Sequence, residues 1–432
     1  MGRAIRVKTV LLIAVACYLT IAGWPAPLNA QEPVSLQALL EEAMANNLEL
    51  MVFKERAVAK ESRVRAEGAL DDPALKVEMM DLSKSYPLNI APGNAMLTRY
   101  TVSQTFPFPG KLSLKEKIAM KEALSARAEL AAKGLEIQSS VKEAYFDYAF
   151  LAESIRKTEE IKGLLGNISS IAETKYATGQ ASQQDVLKVH VEAALLTNDV
   201  IALEAEKEVA AARLKSLMNR DQDSFLGEPS GLSNVRVEFD AATLINTAVK
   251  KNPEVRMAEF DAEADELNVE LAKKNYYPDF MVGAAPIQRD GRFDSFDVMF
   301  QVNIPIWWGK YDNLTKEASA DARSLKWKAL SRKNLTSLEV KGAAVQVEAA
   351  DRMRSLYETG LLPQVELSFE SALNNYRAGR IDFMTLLDTE RQLKKTRIEY
   401  LKSLLDYRKR VAALEKAVVG DFETNISQNQ GD

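Results

Sequence analysis

Residues 106–111 read Phe-Pro-Phe-Pro-Gly-Lys, and residues 304–310 read Ile-Pro-Ile-Trp-Trp-Gly-Lys. Each segment closes an extended run and opens a long stretch rich in Ala, Leu, Glu and Lys, so each reads as a strand-to-helix junction. The two lie about 198 to 199 positions apart, and other segments repeat at nearly the same distance. Ala43 to Asn47-Leu48-Glu49-Leu50 matches Ala248 to Asn252-Pro253-Glu254-Val255, and Asp72-Pro73 matches Tyr277-Pro278. Tyr176-Ala177-Thr178-Gly179 matches Tyr376-Arg377-Ala378-Gly379. The anchors keep one order, so the chain of 432 residues reads as two copies of one unit, 31–230 and 231–420.

Around the second junction, Phe296, Val298, Phe300, Val302 and Ile304 alternate with Asp297, Met299, Gln301 and Asn303, the period of a strand with one apolar face. Its partner lies near Phe280, Val282 and Ala284. The weaker equivalents in the first unit are Leu75, Val77 and Met79, followed by a strand from about Tyr100 to Phe106. Two β-hairpins result, at about 74–106 and 279–304, with polar loops over 81–96 and 286–295. The remainder reads as helical hairpins at about 113–220 and 311–419. Residues 113–177 alone, as one helix, would reach roughly 100 Å. From Val186 and from Leu386, apolar residues recur in alternating steps of three and four, broken only by Lys207 in the first series and by Glu390 and Arg397 in the second. These are coiled-coil seams. A second stripe of Leu187, Val191, Ala194, Ile201 and Ala205 calls for neighbours on two sides, as in a ring of helices. Gly179 and Gly379 suit left-handed helix ends, with Ser182 and Asp382 as N-caps of the returning helices. Four strands cannot close a barrel, and open edges are not tolerated in a bilayer. Copies must therefore combine, and two would supply eight strands, three twelve.

Composition narrows the chemistry. One His and one Cys exclude most His/Cys metal sites and nucleophilic triads, and no convergent titratable cluster suggests an enzyme with a helical fold. No catalytic residue, resident metal or cofactor is expected. Lys and Arg number 56 against 61 Asp and Glu, with no basic tract, which argues against nucleic acid as a partner. Arg3, Arg6 and Lys8 precede the apolar run Val10 to Ala22, and Leu28-Asn29-Ala30 resembles a cleavage site, so residues 1–30 read as a signal peptide. A rival reading makes Cys17, after Ala14-Val15-Ala16, a lipidation site. The rest has no apolar run long enough for a membrane helix, and residues 421–432 read as a disordered tail.

The two-unit layout, the two junctions and the paired Tyr-x-x-Gly hairpins together resemble the TolC-type outer-membrane efflux proteins over residues 35 to 420. The resemblance implies a mainly α fold with a small β part. Three chains would share a twelve-stranded barrel in the outer membrane, continued by an α-barrel through the periplasm. It implies a passive exit duct in contact with outer-membrane lipid, a periplasmic adaptor (membrane fusion) protein and an inner-membrane transporter of the RND type. Position by position, the periplasmic aperture would involve Asp185, six after the first hairpin glycine, and Tyr376, three before the second. Ile381 stands where the family has an arginine, with Arg380 adjacent. Asp388 would supply an acidic ring, while Thr385 replaces a second acid. Gly179, Gln180, Ser182, Gly379, Arg380 and Asp382 would form the hairpin tips that meet adaptor and pump. The Phe-Pro-Phe-Pro-Gly-Lys junction is similar to the branch that serves heavy-metal pumps. Drug export and type I protein secretion use the same fold, and a periplasmic coiled-coil protein without a pore is the alternative of another class.

Other features read plainly. Neither Lys111 nor Lys310 stands in a phosphate-binding loop, since no Gly precedes by five and no Ser or Thr follows. His190 reads as a solvated helix residue. Trp307, Trp308 and Tyr311 suit an aromatic belt at a membrane boundary. Met79, Met80, Met96, Met281 and Met299 read as space-filling residues in or near the strands, with contact to soft metal ions as the alternative.

Overall fold

The computed structural model describes residues 33–82, 95–232, 234–420 and 422. The expected leader with Cys17, the centre of the 81–96 loop and the tail beyond Phe422 lie outside the described residues. Helices α1 (Leu36–Asn46) and α2 (Leu48–Glu67) lead to strands β1 (Ala74–Leu82) and β2 (Ala95–Phe106), then to helices α3 (Lys111–Ala177) and α4 (Gln183–Leu217). The same order recurs in α5 (Ala241–Lys251), α6 (Pro253–Lys274), β3 (Asp279–Arg289), β4 (Arg292–Asn303) and α7 (Trp308–Ser355). A π-helical segment, Leu356–Leu361, joins α7 to α8 (Leu362–Arg377), and α9 (Phe383–Val418) returns.

The matched asparagines have a local cause. Asn47 and Asn252 each break a helix and cap the next: the Asn47 side chain accepts from the Leu50 N–H at 3.0 Å and Asn252 from the Glu254 N–H at 2.8 Å.

Two expectations are corrected. The expected loop 286–295 is mostly strand. β3 and β4 meet at a two-residue turn, Asp290-Gly291, both with positive φ. Asp-Gly is the pairing that such a tight hairpin turn selects, and it outweighs the polar composition around it. The second helical hairpin is also not two plain helices. Pro363 has no N–H to give and its ring crowds the carbonyl four residues back, so the preceding turn widens into the π segment.

The four strands form one antiparallel sheet in the order β1-β2-β3-β4, the two hairpins joined through β2 and β3. The seam residues Val189, Leu196, Val200 and Leu214 of α4 and Leu386, Leu393, Leu404, Tyr407, Val411 and Leu414 of α9 are buried. They build separate cores along the axis. One, near the tip, joins Ile161, Leu165 and Ile168 of α3 to α4, α8 and α9. Another packs α1, α3 and α4 around Tyr145, Phe146 and Leu214, and a third packs α5, α7 and α9 around Tyr407. Among the described residues the second stripe is uncovered: Leu187, Val191 and Ile201 are more than half exposed. No described helix is long and apolar enough to cross a membrane.

Candidate functional site

The strand register sorts side chains by chemistry. Phe106 pairs with Phe280, Val282 with Phe300, Phe280 with Val302 and Leu75 with Val102, which puts these residues on one face with Val77, Phe296 and Val298. The opposite face carries Glu78, Arg99, Ser103, Asp297 and Gln301. Across it runs an ion-pair chain, Lys76 to Glu78 at 2.6 Å, Glu78 to Arg99 at 4.0 Å and Arg99 to Asp297 at 3.3 Å. Met281 and Met299 share this polar face, whereas Met79 lies on the apolar one. Within the chain the apolar face is uncovered: Phe296, Val298 and Phe300 are each more than 60% exposed. Among the described residues neither β1 nor β4 has a second strand beside it.

The sheet meets the helices through aromatic residues. Phe108 stacks on Tyr277 with ring centres 4.4 Å apart, and Tyr276 touches Trp308 and Tyr311. Trp307 and Trp308 are largely exposed. The first junction has a tie that the sequence did not disclose: Asp279 Oδ1 accepts from Lys111 Nζ at 2.8 Å and from the Phe108 N–H at 2.7 Å. Gly110, at φ +91°, makes the turn that aims Lys111 at it. Lys310 is exposed and has no such partner strand end, since Ala74 holds the position matching Asp279.

At the far end α3 and α4 turn through Gly179, and α8 and α9 through Gly379, each at φ +70°. Both turns are closed alike. Gln180 N–H donates to Lys175 O at 2.7 Å and Arg380 N–H to Asn375 O at 2.9 Å, the pairing that ends a helix on a left-handed glycine. Ser182 and Asp185 form a reciprocal cap at the start of α4, each side chain accepting from the other's N–H at 3.2 Å. Asp382 caps α9 by accepting from the Thr385 N–H at 2.7 Å.

The expected aperture residues sit at this tip. Tyr376 is buried against Phe383, and its hydroxyl has no hydrogen-bond partner among the described residues. Burial raises its pKa above the ordinary tyrosine value, and the nearby Asp185 charge adds to that. Asp185 therefore stands near Tyr376 without bonding to it; its carboxylate is engaged as a cap. Gln180 and Arg380 are exposed, and Ile381 is half-buried against the tip core. Asp388 projects outward, its side chain 69% exposed, with Arg391 3.9 Å away. Sequence reasoning missed the ties that hold the tip together: Arg391 to Glu192 at 2.6 Å, Lys394 to Asp199 at 2.6 Å and Arg397 to Glu366 at 2.7 Å.

A two-faced sheet with edges unpaired among the described residues, carried on a 67-residue helix of about 100 Å, defines the layout of a membrane-anchored protein with a long helical extension. The comparisons with known proteins agree. The model of the outer membrane efflux protein family matches residues 39–220 and 244–420, and the chain belongs to that family. It is an outer-membrane channel component of efflux, not an enzyme. The chain is 22% identical to the cobalt-zinc-cadmium resistance protein CzcC of Cupriavidus metallidurans, over 87% of each chain. It is 20% identical to the pyoverdine export outer membrane protein OpmQ of Pseudomonas putida, over 75% of this chain and 70% of that one. The structure of the outer-membrane channel OprN superposes with a TM-score of 0.76 at 16% identity, covering 90% of each chain.

Proposed function

We propose that the chain is the exit duct of a tripartite pump for divalent transition-metal cations. Three copies would close the sheet into a twelve-stranded barrel with the apolar face toward lipid and the ion-pair chain toward the lumen. Their helices would line the path through the periplasm. The exposed second stripe on α4 is the surface that a neighbouring copy would cover. The tips around Gly179, Gln180, Ser182, Gly379, Arg380 and Asp382 would meet a periplasmic adaptor and an RND-type transporter, which supplies the energy. Asp185, Tyr376 and Arg380 would form the closing end, and three Asp388 carboxylates an acidic ring.

The observation that carries the cargo is the likeness to CzcC over 87% of both chains. Growth of a strain deleted for this chain tests it, on panels of cobalt, zinc, cadmium and copper salts and of dyes and drugs. Sensitivity confined to the metal salts is expected. Sensitivity confined to organic compounds overturns the metal cargo and favours organic export, the reading that the likeness to OpmQ supports.

A further inference from the structure

We propose that Glu390 is a proton-operated latch in the helical wall: as the neutral acid it packs inside the apolar seam that α9 shares with α3, α4 and α8 near the tip, and its ionisation drives that seam apart. The inference rests on the duct reading only for its purpose, since the latch itself is a property of the helices. Glu390 occupies a seam position between Leu386 and Leu393 and is 0% exposed. Neither carboxyl oxygen has a hydrogen-bond partner among the described residues. An ionised carboxylate in that setting has lost its water and gained nothing in return.

The surrounding charges are committed elsewhere. On α9 itself, Arg391 donates to Glu192, Lys394 to Asp199 and Arg397 to Glu366 of α8. Asp388, on the same helix, faces solvent. From α4 the facing group is Glu192, 6% exposed and of like charge. On α3, Lys157 and Glu160 pair with each other at 3.0 Å. On α8, Glu366 is held by Arg397. Burial first, then the Glu192 charge, push the Glu390 carboxyl up to about 7, against a partial offset from Lys394 and Arg391.

The closed seam therefore binds this proton more tightly than an open, hydrated seam does. Its advantage is full at low pH, falls by up to roughly tenfold per pH unit between about 4.5 and about 7, and is gone above that. Glu192, unlike Glu390, has a cation bound to it, Arg391 at 2.6 Å. A seam that closes on a proton and opens without one would couple the tip to the proton supply around it.

The test is amide hydrogen exchange on the purified full-length assembly at pH 5.5 and 7.5, corrected for the intrinsic pH dependence of exchange. It follows the segments Leu386–Leu393 of α9 and Val189–Leu196 of α4, with ion conductance in bilayers recorded on the same preparation. In the wild type, the opening equilibrium of both segments is expected to rise roughly twentyfold from the lower to the higher pH. In Glu390→Gln, the same two pH values should give the same protection. Glu390→Leu, which completes the apolar seam, should do likewise and serves if the glutamine variant folds poorly. A wild-type change below twofold overturns the latch, as does a neutral variant that keeps the wild-type pH response. Absent conductance with pH-dependent exchange would overturn the duct reading and leave the latch standing.

Discussion

Asp388 and Tyr407 show how differently two side chains on one helix are used. Asp388 is held loosely by Arg391 and points into solvent, so three copies around a narrow pore would gather negative charge there and favour cations. Asp388→Asn is expected to lower cation preference and weaken block by multivalent cations in single-channel recordings. Unchanged recordings would remove Asp388 from the aperture. Tyr407 is fully buried, and its hydroxyl accepts from the Val237 N–H at 2.8 Å and donates to Val235 O, pinning the connector between the two units. Tyr407→Phe leaves a buried N–H without an acceptor, which costs about 1–3 kcal/mol. The connector near Val235 should then be cleaved faster in limited proteolysis, with the strands unaffected. Asp185, Tyr376 and Asp388 came from the family resemblance, carried over position by position from the hairpin glycines. Lys111 with Asp279 and Glu192 with Arg391 were beyond such reading: the partners lie 168 and 199 residues apart, and only the folded register brings them together.

Helices and hairpins were legible where one period dominates. The steps of three and four that run through Leu386 and Leu414 trace the buried seam of α9, and the alternation from Phe296 to Val302 traces the apolar face of β4. Glu390 interrupted the period in the sequence, and neither of its carboxyl oxygens has a hydrogen-bond partner among the described residues. Elements went astray where one residue overrules its surroundings: Asp290-Gly291 shortens a loop, and Pro363 widens a helix. The same single-residue control makes the tips testable. Gly379 sits at φ +70°, a conformation that costs a side-chain-bearing residue about 1–2 kcal/mol. Gly379→Val should destabilise the α8–α9 turn and lower resistance to periplasmic proteolysis there. Ser182→Ala, which breaks one half of the α4 capping box, should cost about 1 kcal/mol and loosen the first turn of α4 in hydrogen exchange.

For the molecule as a whole, the division of the sheet into two faces predicts an asymmetric response to charge. Val298 lies on the apolar face and Gln301 on the polar one, three residues along the same strand. Val298→Arg should cost about 2–4 kcal/mol in the bilayer and reduce heat-resistant oligomers in outer-membrane fractions, whereas Gln301→Arg should be tolerated. Equal loss from both would contradict the assignment of the faces. The unpaired edges of β1 and β4 have a further consequence, one of supply. In the proposed ring, a chain that cannot close its own barrel would yield nothing until it meets its companions. The number of working channels would follow the concentration of free chains raised to the number of copies in the ring. A cell that halved its output of this chain would lose far more than half of its exits at low abundance. Dosage, as much as sequence, would then set how much the envelope can clear.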